Sequence, residues 1–196
     1  MGKGLRHEIH QQDTVEELVM KISVMSNIKD VKRKMSKVER SVIPKATSQS
    51  LNKTLTRAYT FVIRETAKAT GMKQKDLRQL VSKKKASARY QEAMIIIRGK
   101  APNLIRFNAR ENAVGVSATS WGKRKTYDGA FIGNNGRTVF ARKSKQRLPI
   151  KSLYGASPPR EVVRQKIDEA TAVFGIKQFQ KEFARAVNLQ LSRIKN

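Results

Sequence analysis

The stretch that most limits how this chain can fold is Tyr127–Pro159, YDGAFIGNNGRTVFARKSKQRLPIKSLYGASPP. Ala130-Phe131-Ile132 and Thr138-Val139-Phe140-Ala141 read as short strands. Between them, Gly133-Asn134-Asn135-Gly136 gathers the residue types that tolerate positive φ in a hairpin turn. A basic run follows, Arg142, Lys143, Lys145 and Arg147, and then Leu148-Pro149-Ile150. Pro149 holds the chain extended just where apolar side chains return, so the expectation is a loop that docks. Ser157-Pro158-Pro159 reads as a helix entry, with Ser157 at the N-cap and Pro158 at the first helical position.

Upstream, Met1–Met20 sets Lys3 and Arg6 against Glu8, Asp13, Glu16 and Glu17, a mildly acidic segment on a basic chain. It reads either as an arm lying on a neighbouring copy's basic surface or as a frayed terminus. Asp13-Thr14 could cap a short helix, and Lys21–Met25 reads as a short strand. A first helix places Ile28, Val31, Met35, Val38 and Val42 on one face, with Pro44 ending it and opening the next. That next helix, from Pro44 to about Thr70, has the clearest pattern. Leu51, Leu55, Ala58, Tyr59, Val62 and Ala69 form one stripe, and Lys53, Arg57, Arg64 and Lys68 lie opposite. Such a helix faces core and partner at once, or simply carries a solvated back. Gly71 suits the C′ position.

The Gly in AKATGMKQKDLRQL invites a helix-turn-helix reading, but no recognition pattern follows, so Met72–Val81 is expected as a short helix packed on the long one. Strands are expected at Arg89–Arg98, Asn103–Asn108 and Val114–Ala118, with Gly115 a bulge or close-approach point. Thr119–Thr126, with Trp121, Lys123, Arg124 and Lys125, reads as an exposed basic loop. After the helix entry, Val163, Ile167, Ala170 and Phe174 share a register that Gly175 breaks. A last helix then carries Phe179, Phe183, Ala186, Gln190 and Ile194. The fold class is α+β: a small antiparallel sheet with a hairpin, flanked by one long and several shorter helices. Residues 21–196 are expected to form one domain behind the 1–20 extension.

Charge is the chemical signature. Lys and Arg number 42 against 15 acids, a net charge of +27, and Lys73–Lys151 alone holds 20 bases and 4 acids. Periodic apolar residues exclude a disordered basic tail, so a folded body must face a polyanion or an acidic surface. The absence of cysteine removes disulfides, thiolate chemistry and Cys-ligated zinc. The longest apolar run, Ala93–Ile97, is too short for a bilayer, and the N-terminus lacks a signal-peptide core, which predicts a soluble intracellular product with no membrane partner. His7 and His10 have the wrong spacing for the zinc-protease helix, and no carboxylate pair suits Mg²⁺ or acid–base work. Neither an enzyme, a small-molecule substrate nor a cofactor is expected.

The candidate binding residues are Lys83, Lys84, Lys85, Lys123, Arg124, Lys125, Arg137, Arg142, Lys143, Lys145 and Arg147. Dense cations with one Trp suit contact with phosphates or acidic side chains and not base reading. The plainer reading of each run is a solvated face.

The order GAFI, turn, NGR, VFAR, basic run, LPIK and Pro-rich helix entry resembles the minor tail protein Z family of tailed bacteriophages and prophages. Gly129, Phe131, Gly136, Phe140, Pro149, Pro158 and Pro159 carry that pattern. The helix–Ile43-Pro44–helix order and the helix ending Arg64-Glu65-Thr66 agree with it. The resemblance implies a virion protein that completes the head-proximal end of the tail, present in the host cytoplasm during assembly. It implies self-association, expected as a hexameric ring, and contact with tail terminator or head connector proteins and the genome DNA end. The basic stretches Thr119–Thr126 and Arg142–Ile150 would then bridge subunits. The competing reading is a general, non-enzymatic nucleic-acid-binding protein.

Overall fold

Two long antagonists of solvent, one near each end of the chain, organise the molecule. In the computed structural model, residues 17–20, 39–144 and 146–192 are described. Helix α1 (Glu39–Thr70) and the C-terminal helix α4 (Ile167–Ser192) pack along each other. Between them in sequence come α2 (Gln74–Leu80), eight short strands and α3 (Pro158–Arg164), and one more described strand precedes α1. The class is α+β, as expected.

On α1, Leu51, Leu55, Ala58 and Val62 are buried, while Lys53, Arg57, Arg64 and Lys68 are exposed, as the periodicity requires. Ser50, Ile63, Thr66 and Thr70 are buried too, which widens the hidden arc beyond the stripe. Buried hydroxyls fold back onto the helix: Ser50 Oγ donates to the Ala46 carbonyl at 2.6 Å, and Thr70 Oγ1 to Thr66 at 2.7 Å. The helix starts at Glu39, so Pro44 lies inside it and does not open it. As the sixth residue of the helix, Pro44 leaves the Arg40 carbonyl without its helical N–H partner, a local cost that the packing of the long helix must offset. The separate first helix expected at Ile28–Val42, the cap at Asp13-Thr14 and the strand at Lys21–Met25 fall largely or wholly outside the described residues. Gly71 ends α1 at φ +79°, its N–H bonded to the Ala67 carbonyl at 2.8 Å. A Cβ there would sit 2.2 Å from the Thr119 carbonyl oxygen, so both the turn and the packing demand glycine.

The described strands form three antiparallel three-stranded sheets. The first, ordered β1-β3-β2, pairs β3 (Met94–Arg98) with β1 (Glu17–Met20) and β2 (Val81–Lys84). Ile95 and Ile97 are fully buried, the alternation of a sheet with one face on the core. Residues 17–20, assigned to the N-terminal extension from sequence, thus join this sheet. The second sheet, β4-β5-β6, holds β4 (Arg110–Glu111), β5 (Gly115–Ser120) and β6 (Lys123–Asp128). The basic loop expected at Thr119–Thr126 is therefore largely strand. Its chain reverses through Trp121 and Gly122, both left-handed at φ 54° and 70°, the geometry of a tight two-residue hairpin. Gly115 is the expected close-approach point, since a Cβ there would lie 2.1 Å from the Tyr127 carbonyl oxygen.

Asn103–Asn108, expected as a strand, contains a 3₁₀ turn at Leu104–Phe107. Asn103 explains the change. Its side chain accepts from Ile105 N–H at 3.1 Å, capping the turn, and exchanges bonds with both backbone groups of Val139 at 2.8 and 3.2 Å. Leu104 and Phe107 are both buried, a spacing of three that alternation does not report.

The third sheet is the expected hairpin, extended by one strand. β7 (Ala130–Gly133) pairs with β8 (Thr138–Arg142) in the register Phe131↔Phe140, and β9 (Ile150–Ser152) adds to the far side of β8. Asn134, Asn135 and Gly136 all take positive φ. The loop before β9 closes where Lys143 N–H meets the Pro149 carbonyl at 3.0 Å, and the Leu148–Pro149 peptide is cis. Leu148, Pro149 and Ile150 are exposed, so the loop is held by backbone pairing and does not dock its apolar side chains within the chain.

Ser157 stands at the N-cap of α3 with Pro158 and Pro159 buried at its start, although the serine hydroxyl makes no capping bond. The break after α3 falls at Gln165-Lys166, with Lys166 at φ 52°, and not at Gly175. α4 runs straight through Gly175, which is buried. A mid-helix glycine costs about 1 kcal/mol of propensity, a small term beside the burial of a long helix face. The shifted break changes the register: Val162 is buried, and Val163 and Ala170 are exposed.

Candidate functional site

Ten of the eleven cations singled out from sequence are described; Lys145 lies outside the described residues. All ten are exposed, and among the described residues none makes an ion pair. They fall in three places. Lys83 and Lys84 lie on β2, an edge strand, and Lys85 follows directly. Lys83 Nζ sits 4.5 Å from the centre of the Tyr59 ring. Lys85 adjoins Ala86, whose N–H and carbonyl are both bonded by the Asn52 side chain at 2.9 Å.

The second group, Lys123, Arg124 and Lys125, occupies β6, the edge of its own sheet. Charged edges of this kind also discourage unwanted strand pairing. Arg124 donates to Ser117 Oγ at 2.9 Å, and Lys125 Nζ lies 5.8 Å from the Tyr127 ring. Burial raises the Tyr127 hydroxyl above its ordinary pKa.

The third group is split by the hairpin. Arg137 is in the β7–β8 turn, whereas Arg142, Lys143 and Arg147 flank the β8–β9 loop at the other end, roughly 17 Å of strand away at ~3.3 Å per residue. Arg142 lies 5.0 Å over Phe131, which pairs with Phe140 at 5.9 Å. Phe131 and Phe140 thus form the cross-strand pair that stiffens this hairpin. The structure brings the predicted cations to strand edges and turns, and not to one pocket.

One charged centre was not read from the sequence. Glu182 on α4 is only 2% exposed and receives Arg57 at 3.0 Å, Arg185 at 3.3 Å and Lys53 at 3.5 Å. Arg57 also donates to Gln178. The available signal was Glu182 itself, an acid set between Phe179, Phe183 and Ala186 on the buried stripe of α4. A carboxylate at such a position must have cations opposite, and Lys53 and Arg57 on α1 supply them.

The family description "Prophage minor tail protein Z (GPZ)" matches residues 26–196. The chain belongs to this family. Neither a curated protein nor a solved structure matches it. Membership makes it a structural protein of the phage tail and a component of the virion, working among other virion proteins. Every cation and aromatic residue of the three groups and of the Glu182 centre falls within the matched span.

Two further features of this tail protein concern its surface. Trp121, its only tryptophan, is 48% exposed at the tip of the β5–β6 hairpin, beside the C-terminal end of α1. With Glu65, Lys68, Ala69, Gln165 and Ile167 it lines an open depression of about 420 Å³. Burial alone would raise the Glu65 carboxyl, but hydrogen bonds from Lys68 at 3.1 Å and Arg64 at 2.9 Å outweigh it and hold the group below its ordinary pKa. Among the described residues, no three His, Cys, Asp or Glu side chains come together to hold a metal, and no helix is long and apolar enough to cross a membrane. His7 and His10 lie outside the described residues.

Proposed function

We propose that this tail protein completes the head-proximal end of the tail as a closed ring of copies, six in number, and joins tail to head. The observation that carries the reading is a surface of exposed cations with no anionic partner among the described residues, placed on edge strands and turns. Beside them the β8–β9 loop holds Leu148 and Ile150 out in solvent, 64% and 38% exposed. A projecting loop with an apolar tip and a cationic rim is built to meet another surface. In a ring, each copy offers one face to the next, and closure needs one such face to fit another. The cations would face acidic surfaces of the tail terminator or head connector proteins, or the genome DNA end passing through the neck. Residues 21–196 act as the body, to which residues 17–20 of the acidic 1–20 extension are tied as strand β1 by pairing with β3. The protein does its work by position and charge, without catalysis.

The test is assembly. Purified protein, alone and mixed with tails lacking it, is examined by sedimentation and negative-stain imaging. Closed oligomers at one end of the tail are expected. A protein that stays monomeric and binds any polyanion but never a tail would overturn the reading and favour a general nucleic-acid-binding role.

A further inference from the structure

The face where α1 and α4 meet gathers cations around one buried carboxylate. Lys53 and Arg57 from α1, Arg185 from α4 and Lys85 from the segment after β2 line one groove of about 550 Å³, with Glu182 at its base. Four cations surround a single carboxylate, and among the described residues no other acid lines the groove. One charge is neutralised and three are not. We propose that this groove is a binding site for the phosphodiester backbone of a nucleic acid.

Its side chains are held in place before any ligand arrives. Glu182 fixes Arg57 and Arg185, and Gln178 accepts from Arg57 as well. Each guanidinium presents five N–H donors in a rigid fork, so donors remain for oxygens in the groove. Asn52 clamps both backbone groups of Ala86, which pins the neighbouring Lys85 against α1. Preorganised guanidinium and ammonium groups of this kind suit phosphate oxygens. The rest of the lining, Asn52 and Thr56, is polar. It supplies no aromatic ring on which a base could stack and no apolar pocket to anchor a peptide side chain. Backbone contact without sequence preference is what such a lining recognises. The proposal rests on the groove alone and does not require the ring.

The experiment measures binding of a short fluorescein-labelled DNA duplex by anisotropy across a salt series. The double variant Lys53→Ser with Lys85→Ser leaves Arg57 and Arg185 on Glu182, so its melting temperature should match the unaltered protein. Affinity should fall on the order of tenfold, and the slope of log K against log salt should shrink by roughly 2, at ~0.9 per lost phosphate contact. Lys85→Ser alone removes a residue with no ion pair and should give about half that change in slope, which keeps the reading independent of stability. Lys73→Ser with Lys75→Ser, an equal loss of charge on exposed positions around α2, should change affinity less than about twofold. An equal loss in that control, no DNA binding by the unaltered protein, or binding of polyglutamate with the same dependence on Lys53 and Lys85 would overturn the proposal. Because association with tails is scored separately, loss of DNA binding with tail attachment intact distinguishes this site from the tail-completion role.

Discussion

The α1–α4 pair and the β7-β8-β9 sheet are both basic, yet they hold their charge in opposite ways. On the helices, Arg57, Arg185 and Lys53 converge on a carboxylate that water hardly reaches. On the sheet, Arg142, Lys143 and Arg147 surround an exposed loop and make no ion pair among the described residues, and Arg142 lies over an aromatic ring. The helical charges are coupled to folding because removing them strands a buried anion. The loop charges make no ion pair among the described residues, so their charge is left for a partner. Positive charge on one molecule thus serves two purposes, and burial of the counter-ion separates them.

Replacing Arg57 and Arg185 together by Met should have the largest effect. Glu182 would retain only Lys53, and stability should drop by about 3 kcal/mol in chemical denaturation. An unchanged denaturation midpoint would erase the contrast, because it would mean that Glu182 is no more demanding than a surface acid.

The loop provides the opposite limb. Arg142→Ser, Lys143→Ser and Arg147→Ser combined should shift stability by no more than about 0.5 kcal/mol, the usual scale for surface changes. Tail attachment should nevertheless be lost. Full attachment would show that these cations are merely solvated, and a stability loss above about 1.5 kcal/mol would show that they brace the hairpin instead.

Glu65 gives the smallest and sharpest test, since its cations come from its own helix. Its folded-state pKa lies below the ordinary carboxyl value, so its contribution is present above the unfolded pKa. That contribution declines as pH falls through the folded value. The stability difference between the unaltered protein and Glu65→Gln should therefore be full at neutral pH and vanish in acid. A difference that grows on acidification would reverse the assignment of Lys68 and Arg64 as the stabilising partners.

Several elements were legible because their causes are local. The stripe on α1, the β7–β8 hairpin with its Asn-Asn-Gly turn and the proline entry to α3 all follow from residues within a few positions of one another. The errors have distant causes. Asn103 turns its segment into a 3₁₀ helix by bonding Val139, far along the chain. Gly175 stays helical because α4 lies along α1, a contact that outweighs propensity. The basic stretch at Lys123–Asp128 becomes a strand because β5 pairs with every residue of it. The Glu182 centre depends on two helices separated by most of the sequence.

Composition, periodicity and turn chemistry by themselves determined the α+β class, the cationic character and the hairpin, since these depend on residue type and short spacing. Tertiary packing alone decided which cations are anchored and which are free. An ion pair between helices, like a strand's edge, exists only once distant segments meet and exclude water from between them.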